Sequence, residues 1–320
     1  MHPCRLADIA KKTGYSIATV SRVLSSSSSR ISPETRREVL NAARSLGYRK
    51  ETRNIAILIG DYGFPSYFGY ILQPLCYELR KRAFVPVILH AENIHLLEEL
   101  SFCAAISVMA ENKLEEYWNN SHTMPLICIN TRSRRMSQAY MVSSDDFQGT
   151  EQIVNHLVLM GHTRIGRLCS KNELNEANWN QKARVQTFRQ VLERYGLSDR
   201  YSISPAEEAP PDALKKLIRR GISALFIQNE NLVPIALKQL KLLDIRIPED
   251  LSVVALSFPR QASCTDPPLT CIVQNYGLLA SETGIMLERI LSDSAAPKDV
   301  YVPYSFYDYG ISVRNRNDPE

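Results

Sequence analysis

The stretch from Ser16 to Arg22 concentrates side chains that could contact a nucleic acid. A guanidinium such as that of Arg22 can donate two hydrogen bonds to guanine, and Ile17 and Ala18 offer apolar contact with a thymine methyl group. Short hydroxyls suit phosphate oxygens, whose contacts fix register without reading sequence. The candidate DNA-binding residues are Arg5, Ser16, Ile17, Ala18, Thr19, Ser21 and Arg22. For Ser16 and Ser21 the alternative is a purely structural role, capping for the first and packing for the second.

Three short helices are expected to position these side chains. Apolar residues at helical spacing predict a first helix over residues 5–13, which Gly14 can end by adopting the left-handed conformation. Ser16 can cap a second helix, IATVSRVL, and Ser32-Pro33-Glu34 has the signals of a helix start, for a third helix that runs to about Leu46. Two helices joined by a short glycine-containing turn are a helix-turn-helix, whose second helix enters the major groove.

The charge of the chain is concentrated at its start. Residues 1–54 hold 11 basic and 4 acidic residues, a net charge of +7, while the whole chain carries +4, which leaves −3 for the remainder. A basic head on a mildly acidic body is typical of a protein whose first segment meets a polyanion, although a solvated basic face would have the same composition.

The first fifty residues resemble a known DNA-binding domain. LADIAKKTGYSIATVSRVL followed by ISPETRREVLNAARSLGYR is similar to the head of the lactose repressor/galactose repressor (LacI/GalR) family of bacterial transcription regulators. The resemblance rests on ATVSRVL, SPETR and LGY occurring together in this order.

Beyond Ile55 the pattern changes to strands alternating with helices. The strands are expected at IAILIGD, VPVIL, CAAISVMA, PLICIN, RIGRLCS, ALFIQN and LSVVALS, and the helices at 66–82, 92–100, 113–120, 148–160, 181–195, 211–220, 232–242 and 278–291. Such alternation predicts parallel sheets covered by helices on both faces, with ligands outside the carboxyl ends of the strands. The fold class is therefore α/β: an all-α helix-turn-helix head and a core of two doubly wound parallel-sheet subdomains with a cleft between them.

The resemblance extends through this core. NHLVLMGHTRIG, IPEDLSVVAL and DPPLTCIVQ are similar to signatures of the family's periplasmic-binding-protein-like core, which binds a small effector and dimerises. The resemblance implies crossings between subdomains near residues 160, 272 and 297. The expected domains are a head at 1–50, a short linker at 51–54 and a core at 55–320, with one subdomain at about 55–160 and 273–297 and the other at about 161–272 and 298–320.

The resemblance also implies which residues bind the effector: Tyr62, Ser66, Tyr67, Arg184, Asn229 and Ser257. The loop after the first strand carries aromatic rings that could stack on a sugar, although Phe64 and Phe68 could instead be core residues, the reading favoured for Phe68. Arg184 stands at the family's cleft arginine, where a guanidinium donates to ligand hydroxyls or a carboxylate; the alternative is an exposed surface arginine.

The cleft departs from the family at two positions. Glu230 follows Asn229 where the family has an aspartate, and Ser257 stands where the family has an acid that binds sugar hydroxyls. Without that acid, Arg184 would have no competing carboxylate, so the cleft is expected to suit a negatively charged ligand such as a sugar phosphate or sugar acid.

The connector between head and core is short. Only RKETRN separates Gly47-Tyr48 from the first core strand, and it contains no leucine pair. The family's hinge helix, which wedges leucines into the minor groove, is therefore not expected here, and little bending of the bound DNA is predicted.

Other function classes lack their signals. GxGxxG, GxxxxGK[ST], HExxH and GxSxG are absent, so no catalytic residue, metal or cofactor is assigned, and Asp145-Asp146 are expected to cap a helix. Seven scattered cysteines without a CxxC pair, no long apolar run and no signal peptide favour a reduced cytoplasmic protein.

The expected function is a cytoplasmic, sequence-specific transcription regulator that represses as a homodimer on a pseudo-palindromic operator and responds to a carbohydrate-related effector. The alternatives are a solute-binding receptor or sugar-modifying enzyme with a basic appendage, and a regulator that has lost effector binding.

Overall fold

The computed structural model describes residues 5–24, 31–46, 48, 52–60, 65–109, 114–115, 117–118, 124–130, 136, 138–169, 179–202 and 210–317. The predicted linker at 51–54 and the predicted helix at 113–120 lie partly outside these residues, and Tyr62 and Phe64 lie wholly outside them.

The head is a three-helix unit, with α1 at Leu6–Thr13, α2 at Ile17–Leu24 and α3 at Pro33–Ser45. Gly14 ends α1 at a φ of 76°, as its position predicts. The hydroxyl of Ser32 accepts a hydrogen bond from the Thr35 amide at 3.1 Å and so caps α3. The helices enclose a small core of Ile9, Val20, Val23, Val39, Ala42 and Ala43.

A six-stranded parallel sheet forms the centre of the first subdomain, in the order β10-β5-β4-β3-β1-β2. Its strands are β1 (Asn54–Ile59), β2 (Val85–His90), β3 (Ala104–Val108), β4 (Leu126–Ile129), β5 (Tyr140–Ser144) and β10 (Asp299–Val302). Helices α4 (Pro65–Lys81) and α10 (Tyr276–Leu291) pack together on the face to which Ile55 and Ile57 point, while Ala56 and Leu58 join a second apolar cluster on the other face. Both faces are therefore buried, which explains the continuous apolar runs of these strands.

The second subdomain has a five-stranded sheet in the order β11-β9-β8-β7-β6, in which only the edge strand β11 is antiparallel. Its strands are β6 (Ile165–Leu168), β7 (Ala224–Ile227), β8 (Ser252–Ser257), β9 (Thr270–Val273) and β11 (Ser305–Tyr307). Its helices are α6 (Asp146–Leu159), α7 (Trp179–Arg194), α8 (Pro210–Arg219) and α9 (Val233–Leu242). Side chains from α6 and α7 cover one face of the sheet, and side chains from α8 and α9 cover the other.

Some expected elements differ from the structure. The helix predicted at 92–100 is a 3-10 turn at Ala91–Asn93 followed by a single helical turn, α5 (Leu96–Glu99). Strands β5, β9, β10 and β11 were not predicted because they are short and because polar residues interrupt or bound their apolar runs.

Two of the three expected crossings are also displaced. Helix α6 packs on α7 and the second sheet, so the chain changes subdomain just after Ser144 rather than near residue 160. The return crossing lies between Val273 and Tyr276. The last crossing lies between Val302 and Ser305 rather than near residue 297, because β10 pairs with β5 of the first sheet.

No helix within the described part of the chain is long and apolar enough to cross a membrane.

Candidate nucleic-acid interface and inter-subdomain cleft

Helix α2 presents one face to solvent and buries the other. Val20 and Val23 are buried in the head core, whereas Ile17 is 53% exposed and Ala18, Ser21 and Arg22 are also exposed. Residues 17, 18, 21 and 22 follow the helical repeat, so they form one continuous surface. An apolar side chain more than half exposed at the start of this helix is available for contact with a base edge.

The hydroxyl residues at the start of α2 are hydrogen-bonded to each other. Ser16 Oγ accepts from the Thr19 amide at 3.1 Å, and the two hydroxyl oxygens are 2.9 Å apart. Ser16 therefore caps the helix, and because this bond uses its oxygen as an acceptor, the exposed hydroxyl can also donate to a phosphate. Arg5 is exposed immediately before α1, and its backbone amide donates to Asp8 Oδ2 at 2.7 Å.

Two side-chain contacts fix α3 against the helix-turn-helix. Tyr15 in the turn donates its hydroxyl hydrogen to Glu38 Oε2 at 2.7 Å, and Lys12 Nζ donates to Ser45 Oγ at 2.5 Å. The exposed face of α2 is thus carried on a framework in which all three helices are connected.

A polar network occupies the cleft where the carboxyl ends of the strands of both sheets meet. Asn130, directly after β4, donates from Nδ2 to Tyr67 Oη at 2.6 Å and to Gln274 Oε1 at 2.7 Å. Ser144, the last residue of β5, also donates to Gln274 Oε1, at 3.0 Å. Gln274 donates from Nε2 to Glu230 Oε1 at 3.0 Å. Gln274 therefore connects residues of the first subdomain to an acid of the second.

Arg184 of α7 lies in a buried ion pair at this network. Its Nε is 2.6 Å from Asp146 Oδ1, and its Nη2 donates to Tyr304 Oη at 3.1 Å, while Tyr304 in turn donates to Asp146 Oδ1 at 2.7 Å. The expectation that Arg184 has no competing carboxylate is wrong, because Asp146 fills that place. The capping role expected of both acids belongs to Asp145, whose Oδ1 accepts from the Gln148 amide at 3.0 Å.

The electrostatics of this triad follow from its burial. Burial disfavours the charged form of Arg184, yet Asp146, Tyr304 and Glu230 raise the pKa of the guanidinium well above its usual value. Burial raises the pKa of the Tyr304 hydroxyl, and burial with the nearby Glu230 raises that of Tyr276. Both phenols therefore remain protonated at neutral pH, and the Tyr304 hydroxyl donates to Asp146.

Two of the other predicted effector residues point elsewhere. Ser257 lies on the face of the second sheet that α8 and α9 cover, and its Oγ is 3.1 Å from Gln261 Oε1. Asn229 Oδ1 accepts from the Asn231 amide at 2.9 Å and caps a 3-10 turn. Of the six predicted effector residues, Tyr67 and Arg184 lie in the network, and Ser66 is the second residue of α4.

Six further residues complete the site: Asn130, Ser144, Asp146, Glu230, Gln274 and Tyr304. Sequence reasoning placed Glu230 in the cleft without assigning it a role, and it missed the other five as site residues. All of them lie at the last residue of a strand or within three residues after it, and the rule that ligands bind outside the carboxyl ends of parallel strands is the signal that could have found them.

Aromatic rings join the two subdomains beside the network. Phe258 follows β8 of the second sheet, but it is 5% exposed and packs in the core of the first subdomain. Its ring stacks on Tyr70 of α4 with centroids 5.1 Å apart, and Tyr70 stacks on Tyr276 at 5.5 Å. The Tyr70 hydroxyl donates to the Pro259 carbonyl at 3.2 Å. Opening the cleft along this line would separate Phe258 and the Pro259 carbonyl from Tyr70.

Comparisons with known proteins agree with this architecture. Residues 5–51 match the model of the bacterial regulatory proteins of the lacI family, and residues 154–308 match that of a periplasmic binding protein-like domain. The HTH-type transcriptional regulator DegA of Bacillus subtilis is 26% identical over 309 residues, which cover 86% of this chain and 88% of that protein.

Two solved structures share the fold. A Lac repressor dimer bound to operator and the anti-inducer ONPF has a TM-score of 0.67 at 19% identity, over 98% of this chain and 99% of that one. The complex of the transcriptional regulator CelR with cellobiose has a TM-score of 0.64 at 20% identity, over 97% and 99%.

A helix-turn-helix head with an exposed recognition face, joined to a two-sheet core with a polar cleft, defines a DNA-binding transcription regulator. The chain carries the DNA-binding domain of the lacI family of bacterial regulatory proteins, followed by a periplasmic binding protein-like domain.

Proposed function

We propose that the protein is a repressor that binds a pseudo-palindromic operator as a homodimer and is controlled by a carbohydrate-related effector in the cleft. The exposed face of α2 carries this proposal. Arg22 would donate to guanine in the major groove, and Ile17 and Ala18 would contact thymine methyl groups. Ser16, Thr19, Ser21 and Arg5 would contact the phosphate backbone and fix the register of the head.

The cleft network suits a polyhydroxylated ligand. It offers a carboxylate pair, two amides and several hydroxyls, so a sugar could replace the hydrogen bonds that Asn130, Gln274 and Glu230 now make with each other. Arg184 and Asp146 would bind neighbouring hydroxyls from one side, and Tyr67 would contact the ring from the other. The cellobiose bound to CelR supports a carbohydrate-related effector.

A second copy of the chain would cover the outer surface of α4 and β2. Tyr77 is 63% exposed, and Val85 and Ile88 of the edge strand are 51% and 48% exposed. Large apolar side chains grouped in this way favour an interface, and a two-fold axis there would present two heads to two half-sites. The dimer of the Lac repressor supports this assembly.

Effector binding would change the relative populations of the open and closed states of the core, and this change would alter the position of the head. A ligand can shift that balance only by binding one state more tightly, and the aromatic contacts of Phe258 and Tyr70 set part of the difference between the states. The connector from α3 to β1 is eight residues, 46–53, and so reaches at most about 28 Å even when fully extended. A change in head spacing on this short connector, with little DNA bending, is the proposed output.

The domain organisation proposed from the sequence is kept with its crossings revised. The head would comprise 1–50 and the core 55–320, with the first subdomain near 55–144 and 276–302 and the second near 145–273 and 305–320. A protein of this organisation acts on cellular DNA, so we place it in the cytoplasm and assign it no enzymatic reaction.

Selection from a random duplex library with the purified full chain tests the DNA-binding part of this proposal. The expected result is a two-fold symmetric site whose affinity falls steeply with salt concentration, because each phosphate contact releases counterions. Uniform weak binding to every duplex would contradict it. Adding individual sugars to the protein–operator complex tests the effector part, with a change in operator affinity as the expected result and no response to any sugar as the contrary one.

A further inference from the structure

A second arginine lies buried in the second subdomain and has no ion pair with an acid among the described residues. Arg167 is in β6 and is 3% exposed, and its Nε and Nη1 have no hydrogen-bond partner among the described residues. Its guanidinium lies over the Phe188 ring, 5.5 Å from the centroid. A cation–π contact is weaker than the cost of burying an unpaired charge, so stability alone does not account for an arginine here.

A buried carboxamide lies on the same face of the sheet. Gln228 is fully buried, and neither its Nε2 nor its Oε1 has a partner among the residues described. Arg167 is paired with Phe226 in the register of β6 and β7, and the Gln228 amide continues that ladder by donating to the Leu168 carbonyl at 2.8 Å. Phe226 points to the side of the sheet that α7 covers. Arg167 is the register partner of Phe226, and Gln228 lies two residues past Phe226, so both polar side chains project to that same side.

This position adjoins the cleft. β6 and β7 end at the carboxyl edge of the second sheet, the edge from which Asn229 and Glu230 continue. Phe188, which Arg167 contacts, lies one helical turn after Arg184 on α7. Arg167 therefore packs against the same face of α7 that carries Arg184.

We propose that Arg167 and Gln228 form an anion subsite for a carboxylate or phosphate group of the effector, an inference that rests on the cleft being the effector site. The guanidinium would donate two parallel hydrogen bonds to the anion, and the carboxamide would donate a third. Arg184 is not the anchor for this group, because Asp146 already neutralises it. Glu230 accepts a hydrogen bond from Gln274 and forms no ion pair with Arg167 in the part of the chain that the structure describes.

The test compares matched ligands on the full-length protein by calorimetry. A neutral hexose, its phosphate and the corresponding sugar acid are titrated at constant ionic strength, with inorganic phosphate and chloride as minimal probes. The expected result is at least tenfold tighter binding of one anionic form than of the neutral sugar. Comparison of the affinities for the sugar phosphate and the sugar acid shows whether the subsite prefers a phosphate or a carboxylate. Equal affinity for all three sugars would overturn the subsite, and so would an absence of binding by all of them.

Variants separate the subsite from a packing role. Arg167→Met keeps a long apolar stem beside Phe188, so the protein should unfold at an equal or higher temperature while the preference for the anion is lost. Arg189→Met removes an arginine of α7 whose side chain is 56% exposed, and it should leave the preference unchanged. An Arg167→Met protein that still prefers the anion tenfold would refute the assignment.

The two proposals fail differently. If the neutral sugar binds and changes operator affinity without any preference for the anion, the subsite is wrong and the proposed function stands. If no duplex is bound selectively, the proposed function is wrong whatever the ligand data show.

Discussion

The buried pair of Asp146 and Arg184 should be the most sensitive point of the cleft to a single substitution. The side chains are 6% and 11% exposed, so water screens their attraction only weakly. Asp146 Oδ1 accepts from both Arg184 and Tyr304. Asp146→Ala removes both acceptor contacts and leaves a guanidinium buried without its carboxylate.

The expected loss of unfolding free energy is about 3–5 kcal/mol, the range for breaking a buried pair by removing one partner. The double variant Asp146→Ala/Arg184→Met removes the orphaned charge as well, so it should be at least about 2 kcal/mol more stable than Asp146→Ala alone. Tyr304→Phe, which removes only a hydroxyl, should cost about 1 kcal/mol.

Urea unfolding followed by far-ultraviolet circular dichroism measures these differences, with the slope of the transition checked for each variant. A double variant that is no more stable than Asp146→Ala would refute the reasoning, because the cost would then come from lost packing at position 146 and not from an unpaired charge.

Two further predictions concern the second subdomain. Burial and the nearby Arg316 lower the pKa of His162 to about 4, so the unfolded chain takes up a proton between pH 6.5 and 4 before the folded one does. Stability should therefore fall by up to about 3 kcal/mol as the pH is lowered through that range, and His162→Gln should reduce this slope. A Cβ at Gly149 would lie 2.5 Å from the Tyr304 ring, so Gly149→Ala should destabilise the core by about 1–3 kcal/mol in thermal unfolding, whereas Gly69→Ala, with open space in α4, should not destabilise it. A stable Gly149→Ala protein would show that Tyr304 is free to move.

The head could be predicted from the sequence almost completely. Its structure depends on local signals: a glycine that ends α1, serines that cap α2 and α3, and apolar residues at helical spacing. Each signal acts over three or four residues, so the exposed face of α2 follows from the chain alone.

The cleft could be predicted only in part, because its residues are distant in sequence. Asn130, Ser144 and Gln274 meet only when the carboxyl ends of β4 and β5 in the first sheet face that of β9 in the second, and β5 and β9 are short strands that the apolar pattern does not reveal. Pairing of Asp146 with Arg184 depends on how α6 packs against α7, which no local pattern encodes. The polar side chains of Arg167 and Gln228 likewise stand within or beside apolar strands, and only the strand register shows that they share a face.

The most direct test of the central claim is the specificity of the Arg22→Ala protein. Its affinity is measured for the selected operator and for a scrambled duplex of the same length and base composition, with Arg37→Ala as the control that removes an exposed positive charge from α3. Loss of the guanine contact should lower the ratio of the two affinities by roughly 5- to 150-fold, while Arg37→Ala lowers both affinities alike. An Arg22→Ala protein that keeps the parent ratio would contradict sequence reading by α2.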